Sequence, residues 1–138
     1  MLASFVPSQR GRALLVHHDY VYTLKHSFRS RHRWECDQRR MGTCKAHALT
    51  HGATSDDLTS IVVRATQHDH PPSPASVKVH YALAQLRRKA LESDASALTL
   101  RQQLFTAVEP EVAALLPSES GMRRYINRWR ANRKKTAL

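Results

Sequence analysis

Acidic residues are scarce in this 138-residue chain: eleven Asp and Glu stand against twenty-two Lys and Arg, for a net charge of +11 with neutral histidine. Such an imbalance favours polyanionic partners, nucleic acid first and anionic membrane second. Long apolar runs are missing too. No stretch approaches the roughly 20 residues a membrane helix needs. The opening MLASFVPSQRGRALLVHH is broken by Pro7, Arg10 and Arg12 before it reaches secretory-signal length. The expectation is an intracellular protein without membrane association. Cysteine is limited to two residues, which in a reducing compartment read as metal ligands or free thiols ahead of a cystine. The four glycines form no phosphate-binding loop, and no serine-centred nucleophile turn is present. We therefore expect no enzyme and no small-molecule substrate.

What is present is otherwise ordinary. Hydrophobic residues make up 41% and charged residues 24%, as in soluble globular proteins, and the length suits one domain or two small ones. The boundary is Pro71-Pro72-Ser73-Pro74, which can neither continue a strand ladder nor enter a helix interior. Residues 1–70 carry a net +4 and residues 71–138 a net +7. Before the boundary, Ala13–Val16, Tyr20–Leu24, His32–Cys36, Cys44–Leu49 and Ser60–Ala65 are of strand length. They are separated by turns at Gly11, His18-Asp19, Met41-Gly42 and Gly52 through Asp57, predicting a small antiparallel sheet. Beyond it the period becomes helical. Val79, Leu83, Leu86 and Ala90 share one face of a helix from about Ala75 to Leu91. Thr99 is the expected N-cap of a second helix carrying Leu100, Leu104 and Val108. Glu111–Leu116 forms at most a short turn, and a last helix from about Glu119 to Lys134 aligns Met122, Tyr125, Ile126 and Trp129.

The chemistry concentrates in Trp34-Glu35-Cys36, Cys44 and His68-Asp69-His70. Cys36, Cys44, His68 and His70 use all the sulfur of cysteine and the one His-x-His in the chain, and supply the four ligands of a tetrahedral zinc ion. In an extended strand His68 and His70 would point to one side, and Trp34 and Cys36 likewise. The eight positions from Cys36 to Cys44 allow a tight hairpin to bring the thiols together. Taken singly, each residue reads equally as a buried thiol or a polar cap. Together they read as one structural Zn2+, closed to water and substrate. Its binding would supply roughly 10 to 16 kcal/mol of folding free energy.

The order Phe5, Leu14 or Leu15, Tyr20 or Tyr22, Trp34, Cys36, Cys44 and His68-x-His70 resembles the FLYWCH zinc finger. The resemblance covers about half the chain, and the loop from Gly52 to Asp57 is longer than the pattern requires. It implies a zinc-bound sheet related to WRKY-type domains, a core of Phe5, Leu15, Tyr22 and Trp34, a nuclear location and double-stranded DNA as partner. Members occur in chromatin regulators and ahead of the catalytic domain of Mutator-like transposases. Leu116-Pro117 and Tyr125 through Arg130 are similar to the helical segment that follows the finger there. The spaced carboxylates of a transposase core are missing, so a transposase-derived chain would retain targeting without catalysis.

The combined expectation is an α+β protein: a zinc-stabilised antiparallel sheet over residues 1–70, a proline-rich linker at 71–76 and about three short helices over 77–138. Arg29, Arg31 and Arg33 would alternate on the strand face opposite Trp34 and Cys36. Arg39 and Arg40 lie at the adjoining hairpin, and Lys45 with His47 on the returning strand. This surface would contact phosphates and, through Arg forks, guanine edges. The last helix adds Arg123, Arg124, Arg128, Arg130, Arg133, Lys134 and Lys135, either solvated or serving as an import signal or second phosphate surface. The alternative is an adaptor whose finger recruits a chromatin protein.

Overall fold

The computed structural model describes the chain except residues 40, 41, 43, 55–59 and 137–138 and the side chains of 134–136. It divides into two compact units, Met1–Val77 and Lys78–Leu138.

The first unit is a six-stranded antiparallel meander: β1 (Ser4–Pro7), β2 (Ala13–His17), β3 (Tyr20–Phe28), β4 (Arg31–Cys36), β5 (His47–His51) and β6 (Ile61–Ala65), in that spatial order. β1 was not among the expected strands, and β3 runs four residues beyond its expected end at Leu24. The β2–β3 hairpin turns on His18 and Asp19, both left-handed at φ 52° and 64°. Two such residues match the right-handed strand twist, and an Asp tolerates the conformation. At Leu24/His26 a bulge shifts the β3–β4 register, which lets β3 bend. The sheet curls until its ends meet. Leu2 bridges Ile61, the Ala3 amide donates to the Ser60 carbonyl at 2.9 Å and the Val62 amide to the Met1 carbonyl at 2.9 Å.

Inside the curl, Ala3, Phe5, Leu15, Tyr22, Trp34 and Ala48 form one buried cluster. Cross-strand pairing explains its composition: Phe5 faces Leu15, Leu15 faces Tyr22, and Trp34 faces Ala48, the small alanine leaving room for the indole. Trp34 is fully buried, stands 5.6 Å from the Phe5 ring and donates from Nε1 to Thr50 Oγ1 at 2.9 Å. That bond satisfies the only polar atom of its side chain.

The second unit belongs to α1 (Pro74–Glu92), α2 (Ala97–Ala107), the single turn α3 (Pro110–Ala113) and α4 (Glu119–Thr136). α1 begins inside the expected linker. Ser73 Oγ accepts from the Ser76 amide at 3.2 Å, and Pro74 follows at the one helical position where a missing N–H costs nothing. Residues 74–76 are thus its first turn. The cap of α2 is Ser96, whose Oγ accepts from the Thr99 amide at 3.1 Å. Thr99, expected in that role, sits three residues inside, because either hydroxyl fits the local pattern and only the chain path selects one. Ala82, Leu86 and Ala90 of α1, Leu100 and Leu104 of α2, and Met122, Ile126 and Trp129 of α4 make the core.

Two arginines expected on a cationic surface work inside this unit. Arg130 donates to the carbonyls of Ala90, Ser93 and Ala95 at 3.0, 2.9 and 2.8 Å. Arg133 donates to the Leu91 carbonyl at 2.6 Å. They occupy acceptors at the carboxyl end of α1 and just beyond it, where carbonyls lack helical partners and positive charge is favoured.

Candidate metal centre and cationic sheet face

Cys36 ends β4, and Cys44 lies in the segment that returns to β5. The connection is not a tight hairpin. A 3-10 turn, η1 (Asp37–Arg39), leads out of β4. The Gly42 amide then donates to the Gln38 carbonyl at 2.8 Å. A Cβ at Gly42 would stand 3.1 Å from that oxygen, so glycine permits the close return. The Cys36 amide donates to the Ala46 carbonyl at 3.0 Å, and both cysteines are only 1% exposed.

His68 and His70 lie beyond β6, which ends at Ala65. They are not strand neighbours, as the sequence suggested. Two tyrosines of β3 hold them instead. Tyr20 stacks on His68 with ring centroids 3.5 Å apart and planes 1° apart, and donates its hydroxyl to the His70 carbonyl at 2.8 Å. Tyr22 Oη lies 2.6 Å from His68 Nε2. Trp34, buried on the same face of β4 as Cys36, packs with Phe5. Tyr20 as a stacking support was not foreseen; the only trace in the sequence is the Tyr-x-Tyr spacing that puts both rings on one strand face.

The result is a four-ligand cage. Cys36 Sγ is 3.2 Å from His70 Nε2, Cys44 Sγ is 3.4 Å from His68 Nδ1, and all four ligand atoms lie within 4.8 Å of one another. A tetrahedron with bonds of about 2.0–2.3 Å has edges of roughly 3.3–3.8 Å, so small adjustments would complete it. The remaining ring nitrogens agree. With His68 bound through Nδ1, its Nε2–H donates to Tyr22 Oη; with His70 bound through Nε2, its Nδ1–H donates to the Pro71 carbonyl at 3.2 Å. Such partners set the tautomer of a ligating histidine.

Without a metal ion the buried groups of the cage favour their neutral forms. Burial pushes the Cys36 thiol up to about 12; the Cys44 thiol and Asp37 add to the rise, and a backbone bond from Gln38 opposes it. Burial, then the Cys36 and Cys44 thiols and Tyr20, raise the Tyr22 phenol to about 12, so it stays a neutral hydroxyl. His68 is lowered, by burial first and His70 next, with Asp69 opposing, which favours the neutral ligand form. A bound dication reverses the thiol preference and deprotonates both cysteines.

Residues 5–70 match the FLYWCH zinc finger domain. The matched segment begins at the first aromatic of the sheet core and ends at the last ligand. Cys36, Cys44, His68 and His70 of this finger are positioned to bind one zinc ion. Two thiolates and two imidazoles close its coordination, so the metal's contribution is structural. No curated protein matches the chain.

The cationic residues separate into different settings. Arg31 and Arg33 are exposed on β4, opposite His51 and Leu49 of β5. Neither has an ion-pair partner among the described residues. Arg29 does not continue their row. It occupies the β3–β4 turn at φ 58°, with its guanidinium 5.4 Å from the centre of the Phe28 ring. Arg39 lies in η1 and pairs with Glu35 at 3.4 Å. Lys45 is exposed in the segment before β5. Arg40 lies outside the described residues.

Proposed function

We propose that this chain is a zinc-dependent DNA-binding protein of the nucleus, in which the metal folds the finger and the outer sheet face meets the duplex. The observation carrying this reading is the pair Arg31 and Arg33, exposed on β4 without a counter-ion among the described residues while Trp34 and Cys36 of the same strand are buried. Arg29 and Lys45 extend the surface at its two ends. Arg39 contributes less, because Glu35 already holds it. The net charge of +11 supports long-range attraction. The module acts by binding and not by chemistry. Each phosphate contact contributes about 0.9 to the salt slope of duplex binding. Arg31→Ala/Arg33→Ala should therefore reduce that slope by about 2 and weaken binding across sequences. An unchanged slope in the zinc-loaded double variant would remove this face as the reader.

The adaptor reading is favoured by a different observation on the same face: Phe28, Ile61 and Val63 are large apolar side chains left in solvent.

A further inference from the structure

We infer that the outer face of the sheet is a docking groove for an acidic peptide carrying a bulky apolar anchor. The inference goes beyond DNA binding and stands without it. Phe28 from β3, Leu49 from β5, and Ile61 and Val63 from β6 line a recess of about 550 Å³. Phe28 is 64% exposed, Val63 62% and Ile61 41%. Cross-strand pairing places them together: Phe28 faces Arg31, Arg33 faces Leu49, and His51 faces Ile61. The β5–β6 irregularity at Leu49/Thr50 adds Val63 to the same side. A contiguous apolar recess of this size on a sheet is a binding feature more often than idle surface.

Charge chooses the kind of occupant. Arg31, Arg33, His26 and His51 rim the recess, and no acidic side chain lines it among the described residues. The occupant therefore presents carboxylates around its apolar part.

Hydrogen bonding decides between a side chain and a nucleobase. Apart from the rim cations Arg31, Arg33 and His26, the polar side chains lining the recess are engaged. His32 bonds Ser27 Oγ through Nδ1 at 2.7 Å and the Gly52 carbonyl through Nε2 at 2.9 Å. His51 Nε2 lies 3.1 Å from Ser30 Oγ, and Thr50 Oγ1 accepts from Trp34. On the apolar floor itself a base would lose hydrogen bonds to water that only the rim cations could replace, whereas a Leu or Phe side chain loses none. The floor takes the anchor, and the arginines take the flanking carboxylates.

The test is selection from a displayed library of short random peptides against the zinc-loaded full chain. The enriched sequence is then titrated as a labelled synthetic peptide by fluorescence anisotropy. Peptides with one bulky apolar residue beside Asp or Glu should emerge. Val63→Ser, a surface change, should weaken the selected peptide about tenfold, with zinc content and circular dichroism unchanged. Arg31→Ala should weaken it comparably and remove most of its salt dependence. No enrichment, enrichment without acidic residues, or indifference to Val63→Ser overturns the inference. So does self-association that Val63→Ser abolishes, which would make a second copy the occupant. Loss of single-stranded or duplex DNA binding in Val63→Ser would likewise overturn it, with nucleic acid filling the groove. Peptide capture by a chain that binds no DNA would defeat only the DNA reading.

Discussion

The zinc unit and the helical unit solve the problem of a small core by different means. In residues 1–77 the buried cluster centres on a few side chains, chiefly Phe5, Leu15, Tyr22 and Trp34. The segment carrying His68 and His70 lies outside the strand ladder, tied by Tyr20, Tyr22 and the two thiols. In residues 78–138 the same need is met by interlocking Leu86, Met122, Ile126 and Trp129 and by guanidinium groups placed on carbonyls at the end of α1. A domain below about 70–80 residues rarely obtains more than a few kcal/mol from its core alone. One unit adds a metal, the other adds helix packing and charged caps. Their dependence on metal should differ accordingly.

Removing the metal is the sharpest way to separate them. With a chelator, or in Cys44→Ser, the sheet should lose roughly 10 kcal/mol or more of zinc-linked folding free energy. The β contribution to circular dichroism and the shift dispersion of residues 1–70 in NMR should disappear while helical signal persists. A metal-free sheet with unchanged dispersion would contradict the contrast. Arg130→Ala probes the other side. Three carbonyl acceptors lose a charged donor, at a cost of about 2–3 kcal/mol, visible as a lower midpoint for the helical transition with zinc content unchanged. Equal loss in both units would show that they do not fold as separate cooperative bodies. Tyr22→Phe is the gentlest test. It keeps the ring in the core but removes the acceptor at His68 Nε2, and should weaken zinc binding about tenfold, or about 1.4 kcal/mol, in a competition titration. An Arg33→Ala control, exposed on β4 and away from the core, should leave that affinity nearly unchanged.

The ligands were legible because their residue types are rare: two cysteines and one His-x-His leave little choice of partners. Phe5, Leu15, Tyr22 and Trp34 were legible as core only through the resemblance to the FLYWCH finger, whose matched segment begins at Phe5. β1 escaped notice because four residues ending in Pro7 carry too short a pattern, and its strand identity comes from pairing with β2. Arg29 read as part of a row because parity was counted straight through a turn; its left-handed backbone breaks the count. Arg130 and Arg133 read as surface charge because their acceptors lie far away in the chain, at Ala90 to Ala95.

By itself, the sequence determined the donor set, the antiparallel sheet followed by helices, and the strongly cationic character. All three rest on residue type or on periodicity within a few positions. Only the tertiary structure decided which arginines remain free, that Tyr20 and Tyr22 brace the histidines, and that Phe28, Leu49, Ile61 and Val63 converge beside Arg31 and Arg33. Those outcomes depend on register and curl, which bring distant strands together through long-range backbone pairing that no local pattern encodes.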